Sequence, residues 1–133
     1  MPVVVDSSVA ACWALPDEYS ALADRVLEFI IEDGMMAPAL FRYELRNVLI
    51  VNERRGRIDR TTIEKALTMI DRLPCRIDVA FTDGNLLALA RRNQPKVHDA
   101  AYLELALRTG APLATLDRRL AGAAAAEGVT ILA

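Results

Sequence analysis

The sequence predicts an α/β protein, in which a central parallel sheet of four to five strands carries helices on both faces. Short apolar runs alternate along the chain with longer segments of helical period, the pattern of strands joined by covering helices. The first of those runs, "VVV" at positions 3–5, reads as a buried strand. Length agrees: 133 residues suffice for one continuous core and not for two, so a single domain over 1–133 is expected.

The strands are expected at 3–5, 35–37, 113–115 and 129–132, with a weaker fifth at 76–79. Between them the periodicity predicts helices over 9–15, 20–31, 40–55, 62–72, 84–92, 100–108 and 118–126. Gly34 follows the second helix, Pro74 the fourth and Gly110 the sixth, each a stop signal. "TTIE", from Thr61 to Glu64, reads as a capping box opening the fourth helix, its hydroxyl and carboxylate satisfying orphan amides reciprocally. "AGAAAA" reads as small-residue helix, and no repeat or low-complexity linker divides the chain.

Composition limits the function. A hydrophobic content of 53% with 26% charged residues fits a globular protein, and no apolar run approaches the roughly 18 residues of a membrane helix. The start "MPVVVDSSVAACWAL" lacks the basic opening of a secretion signal and carries Asp6 within its apolar stretch, so a cytoplasmic location is expected. Cys12 and Cys75 lack metal-ligand spacing and read as small core residues of a reducing compartment. A net charge of -2 supplies no global field to attract nucleic acid, which leaves local arginines or a metal to hold such a partner. "ERRGR" at 53–57 and "RRNQPK" at 91–96 are candidate patches, although cations at helix C-termini account for both.

Four acids stand where acids need a reason. Ligands of parallel α/β sheets bind beyond the carboxyl ends of the strands, and Asp6 directly follows "VVV" while Asp117 lies two residues after "LAT". Each also suits helix N-capping. Glu44 stacks on Leu40 and Phe41 on one side and Val48 and Val51 on the other, an apolar stripe on which a carboxylate is costly unless compensated. Glu28 and Glu32 instead share a solvated face with Asp24. Asp99 continues into Tyr102, Leu103 and Ala106 on the core side of its helix, with capping again the alternative. Separate caps, and an arginine such as Arg46 beside Glu44, explain the acids one at a time. Convergence at one end of the sheet explains them together. Clustered carboxylates repel, and a hard divalent cation such as Mg²⁺ or Mn²⁺ compensates them and suits phosphodiester hydrolysis.

Other chemistries fit less well. Zinc lacks a His and Cys cluster, a serine hydrolase lacks a suitable histidine, and a P-loop lacks its glycine-rich turn after the first strand. His98, the single histidine, reads as structural. Ser7, Ser8 and Thr115 lie within two residues of the strand-end acids, placed to hold water or phosphate, or in the case of Ser7 to cap a helix.

"VVVDSSVAACWALPDE", "APALFRYELRNVLIVNERRGRI" and "VHDAAYLELALRTGAPLATLD", in this order and spacing, resemble the PIN-domain ribonucleases, and within them the VapC-type toxins. The resemblance spans nearly the whole chain. It implies a Rossmann-like sheet of order 3-2-1-4-5, with Asp6, Glu44, Asp99 and Asp117 as catalytic metal ligands and Ser8 and Thr115 as supporting hydroxyls. It further implies Mg²⁺- or Mn²⁺-dependent endonucleolytic cleavage of RNA, a homodimer, and inhibition by an antitoxin. Arg42, Arg46, Arg118 and Arg119 are candidates for substrate phosphate, and the helices from Leu40 and Thr62 for partner contacts.

Two rivals share the fold class. A phosphoacceptor receiver domain has the size and a strand-end aspartate with Mg²⁺, but expects paired acids near the first strand and a lysine ending a late strand. Here Asp6 neighbours serines and Lys96 precedes a helix. The second rival is a non-catalytic binding module of the same fold.

Overall fold

The computed structural model describes residues 1–93 and 96–132. Four parallel strands, β1 (Val3–Val5), β2 (Met35–Pro38), β3 (Cys75–Asp78) and β4 (Leu113–Ala114), lie in the order β3-β2-β1-β4. A parallel bridge from Leu113 to Ile131 sets the segment expected at 129–132 beyond β4, which completes the order 3-2-1-4-5 with a fifth position too short to be a full strand. Among the described residues seven helices surround the sheet: α1 (Ser7–Ala14), α2 (Ala21–Asp33), α3 (Leu40–Arg54), α4 (Arg60–Asp71), α5 (Asp83–Asn93), α6 (Val97–Thr109) and α7 (Arg118–Ala126).

All three valines of β1 are fully buried, as a strand covered on both faces requires. Phe41, Leu45 and Leu49 carry the buried stripe of α3 at four-residue intervals, and Leu103, Leu105 and Ala106 anchor α6. The Trp13 indole N–H donates to the Ala23 carbonyl at 2.8 Å, tying α1 to α2. Gly34, at φ 80°, turns the chain directly from α2 into β2, a backbone position where a side chain would be strained. Among the described residues no helix is long and apolar enough to cross a membrane. Cys12 and Cys75 are free thiols.

Three local expectations are corrected. Asp59, not Thr61, caps α4: its carboxylate accepts from both the backbone N–H and the hydroxyl of Thr62 at 2.8 Å, so the helix begins at Arg60 and the capping box falls inside it. The helix expected at 100–108 begins at Val97, which places Asp99 in its first turn, where its side chain caps none of the described residues. The weak strand is Cys75–Asp78, paired with β2 from Met35↔Cys75 to Pro38↔Asp78.

In the basic patches, Arg57 pairs with Asp17 at 2.7 Å and Arg92 with Glu127 at 2.6 Å. Gln94 and Pro95 of the second patch lie outside the described residues. Arg108 reaches Asp78 at the end of β3 and Glu104 one turn back on α6, locking the sheet edge to that helix.

Candidate active site

In this strand order the chain leaves β1 towards β2 on one side and finds β4 on the other, so a crevice opens beyond the carboxyl ends of β1 and β4. Asp6 follows β1 directly and is only 5% exposed. Its Oδ1 accepts from the backbone N–H of Ser8 and Val9, at 3.1 and 3.3 Å, and from the Ser8 hydroxyl at 2.6 Å. Its Oδ2 accepts from the buried Thr115 hydroxyl at 2.5 Å. Capping therefore engages only one of the two Asp6 oxygens. The carboxylate caps α1 with one oxygen and joins β4 with the other.

The supporting hydroxyls extend that connection. Ser8 Oγ accepts from the backbone N–H of Leu116 at 3.0 Å, and Thr115 Oγ1 from that of Asp117 at 3.0 Å. Two side chains thus fasten the chain after β4 to the carboxylate after β1. Asp117 in turn caps α7, its Oδ1 accepting from Arg119 N–H at 2.8 Å and Leu120 N–H at 3.3 Å. Its Oδ2 makes no hydrogen bond to the described residues.

Glu44 comes from the half-buried edge of the α3 stripe, as its neighbours suggested. The Tyr102 hydroxyl donates to its Oε1 at 2.5 Å and the Ser7 hydroxyl does so at 3.5 Å. Tyr102 is 2% exposed and sits one turn beyond Asp99 on α6. One helix therefore supplies an acid and the group that orients another. The sequence reading placed Tyr102 on the core side without a polar task; its i, i+3 spacing from Asp99 was the available signal.

The electrostatics link all four acids. Burial pushes Asp6 above the usual carboxylate range despite its hydrogen bonds. Burial also raises Glu44, with Asp6 and Asp99 adding repulsion. Asp99 is raised by burial and by the charge of Asp117, against the pull of Lys96, His98 and Arg119. His98 is exposed in the first turn of α6, next to Asp99 in the sequence.

The donors suit a hard cation by their chemistry: all are carboxylates, Asp99 makes no side-chain hydrogen bond to the described residues, and one oxygen each of Glu44 and Asp117 is likewise unengaged. They do not form a finished cage. Among the described residues no three His, Cys, Asp or Glu side chains stand close enough to enclose an ion.

The candidate arginines divide. Arg118 and Arg119 rim a cleft of ≈ 660 Å³ that also contains Asp99 and Asp117. Arg42 and Arg46 lie two residues either side of Glu44, hence on the far face of α3, where they border a cavity with Cys75 and Ile77. The fold does not bring them to the acids.

The PIN domain family matches residues 3–126. Over 124 residues the chain is 33% identical to Ribonuclease VapC3 of Pyrobaculum aerophilum, covering 91% of this chain and 93% of that protein. It is also similar to the crystal structure of PAE2754 from Pyrobaculum aerophilum, with a TM-score of 0.71 over 99% of this chain and 91% of that one. At 22% identity, this second likeness is one of fold.

Proposed function

We propose that this chain, which belongs to the PIN-domain family, is an endoribonuclease dependent on Mg²⁺ or Mn²⁺ and the toxin of a type II toxin-antitoxin pair. The reading is supported by Asp6 at the strand-order switch point, tied to the Ser8 and Thr115 hydroxyls, and by Glu44, which accepts from Tyr102 on the helix that carries Asp99. The likeness to a protein named a ribonuclease supplies the substrate class.

Asp6, Glu44 and Asp99 are the first-choice ligands, and Asp117 completes the set directly or through water. Bound there, the cation supplies Lewis acidity: it lowers the pKa of water and offsets charge on the phosphate. The chain's own groups do the positioning. Thr115 and Ser8 fix Asp6, Tyr102 fixes Glu44, and α6 and α7 set the separation of Asp99 and Asp117. Arg118 and Arg119 take the substrate phosphates that net charge does not attract. Attack by water requires no protein nucleophile.

The proposed partners are RNA, a second copy of the chain and a cognate antitoxin, all in the cytoplasm. An apolar groove between α3 and α4, where Tyr43 is 77% exposed beside Ile50 and Ile63, supports an inhibitor held by packing. The test is cleavage of RNA by purified protein with Mg²⁺, with Mn²⁺ and with EDTA, alongside Asp99→Asn. Metal-dependent cleavage lost in the variant is expected. Wild-type protein inert with both metals, and harmless to growth when expressed, refutes the reading.

A further inference from the structure

We propose that the cleft between the start of α6 and the outer face of α7 is a nucleotide subsite, which takes the backbone phosphate and base of a single-stranded RNA residue next to the scissile bond. The proposal rests on the ribonuclease reading and adds to it where the strand runs. The cleft, at ≈ 660 Å³, is in the size range of small-ligand sites. Asp99 and Asp117 belong to it, so it is continuous with the catalytic crevice.

Its rim carries Lys96, Arg118 and Arg119, and none of these side chains makes a hydrogen bond or ion pair with the described residues. Arg92 nearby is different, because Glu127 takes it with a second contact at 3.3 Å. Three cations without such a contact, beside two acids, can do one of two things. They balance the acids, or they hold a polyanion that must pass the acids to be cut.

Gly122 favours the second. It lies inside α7, where glycine is less stable than alanine, yet its φ is not positive and an added Cβ would meet nothing within 4 Å. Neither backbone conformation nor packing asks for glycine. The absent side chain leaves open space at the cleft wall between the arginines and the alanines Ala123 and Ala126 that also line it. Such open space beside cations suits the face of a base or ribose with its phosphate directed to the rim. A duplex keeps its bases inside and offers that wall only its backbone.

The experiment compares wild type, Gly122→Ala, Gly122→Leu and Arg118→Gln/Arg119→Gln for binding fluorescein-labelled RNA of mixed sequence, single- and double-stranded, by anisotropy in EDTA across a salt series. Melting temperatures and cleavage kinetics with Mg²⁺ accompany it. Gly122→Ala is expected to raise the melting temperature by roughly 2–4 °C. Gly122→Leu is expected to weaken single-strand binding by roughly tenfold and to raise KM alike, with the salt slope unchanged because no charge is lost. The double arginine variant is expected to flatten that slope by about 1.4, the value for two single-strand phosphate contacts. Wild-type affinity and KM in Gly122→Leu, with cleavage intact, overturns the subsite and leaves the nuclease standing. An unchanged salt slope in the arginine variant also overturns it and assigns the cations to balancing the acids. A wild-type protein that neither binds nor cuts RNA overturns both readings.

Discussion

Tyr102→Phe removes one oxygen from the core and isolates what orienting Glu44 contributes. The lost bond is short, at 2.5 Å, charge-assisted, and made by a phenol that is 2% exposed, so water does not replace it freely. Hydrogen bonds to charged groups are worth about 1.5–3 kcal/mol, and Glu44 keeps only the long 3.5 Å contact from Ser7 on the same oxygen. Unfolding entropy for 133 residues is about 280 cal/mol/K, so the expected fall in melting temperature is roughly 5–10 °C. Partners that orient metal ligands affect metal affinity by about 10–100-fold when lost. The Mg²⁺ concentration for half-maximal cleavage should therefore rise by that factor, and free Mn²⁺ measured by electron paramagnetic resonance without RNA should show the same weakening. Because the Tyr102 bond draws Glu44 downward against its burial, its loss also moves the acidic limb of the pH–rate profile to higher pH. A variant that loses stability but keeps the wild-type metal dependence in both assays would show that Tyr102 is only a core residue.

Four further outcomes follow from the same geometry. Asp6→Asn and Asp99→Asn should both abolish metal-dependent RNA cleavage while circular dichroism stays native, and activity retained in both variants with metal present removes those residues from the site. In EDTA, Asp99→Asn should melt higher than wild type, because it loses repulsion from Asp117 and no hydrogen bond, and an unchanged or lower value argues against a coupled cluster. Stability against pH has two limbs: the raised pKas of Asp6, Glu44 and Asp99 give a contribution complete below the ordinary carboxylate range and lost as pH rises through the folded values, whereas Asp78 and Glu127, held low by Arg108 and Arg92, contribute above that range and lose it as pH falls. Metal-free protein should thus melt highest at mildly acidic pH and Asp99→Asn should flatten the neutral side, which a wild-type melting temperature rising steadily from about pH 5 to about pH 8 contradicts. Arg108→Ala should cost about 3–5 kcal/mol in urea unfolding by leaving Glu104 buried without its cation, and Glu104→Gln in the same background should recover part of it.

The sheet was legible because its signals are local and redundant. "VVV" has no polar residue to expose, and Gly34 stops one element where the next begins. Glu44 was legible for the opposite reason, as a carboxylate that its own stripe does not explain. Where the reading stopped short, two local signals competed or a partner lay far along the chain. The Thr61–Glu64 pattern signals a cap two residues too late, and only the folded turn shows that the Asp59 carboxylate takes Thr62. At the start of α6 the error bore on the site. Lys96 precedes the helix in an extended conformation without a side-chain cap, so nothing marks the boundary, and Asp99 invited the capping role instead. Moving the start to Val97 separates Asp99 from that role, and this is what distinguishes it from Asp6 and Asp117, whose carboxylates cap α1 and α7. Tyr102 acts on an acid 58 positions away, a relation no window along the chain contains. Among the described residues the four acids consequently differ in how firmly they are held: Asp6 is bound through both oxygens, Glu44 and Asp117 through one, and Asp99 through neither. On the proposed reading a cation would meet one fixed ligand and three with oxygens that no described residue engages. The order of rigidity predicts the order of tolerance: Asp99→Glu, which lengthens the least constrained arm, should retain more activity than Asp6→Glu, which must break the ties to Ser8 and Thr115. Equal loss in the two variants, measured at saturating Mn²⁺ on the same RNA, would mean that spacing alone and not this graded tethering governs the site.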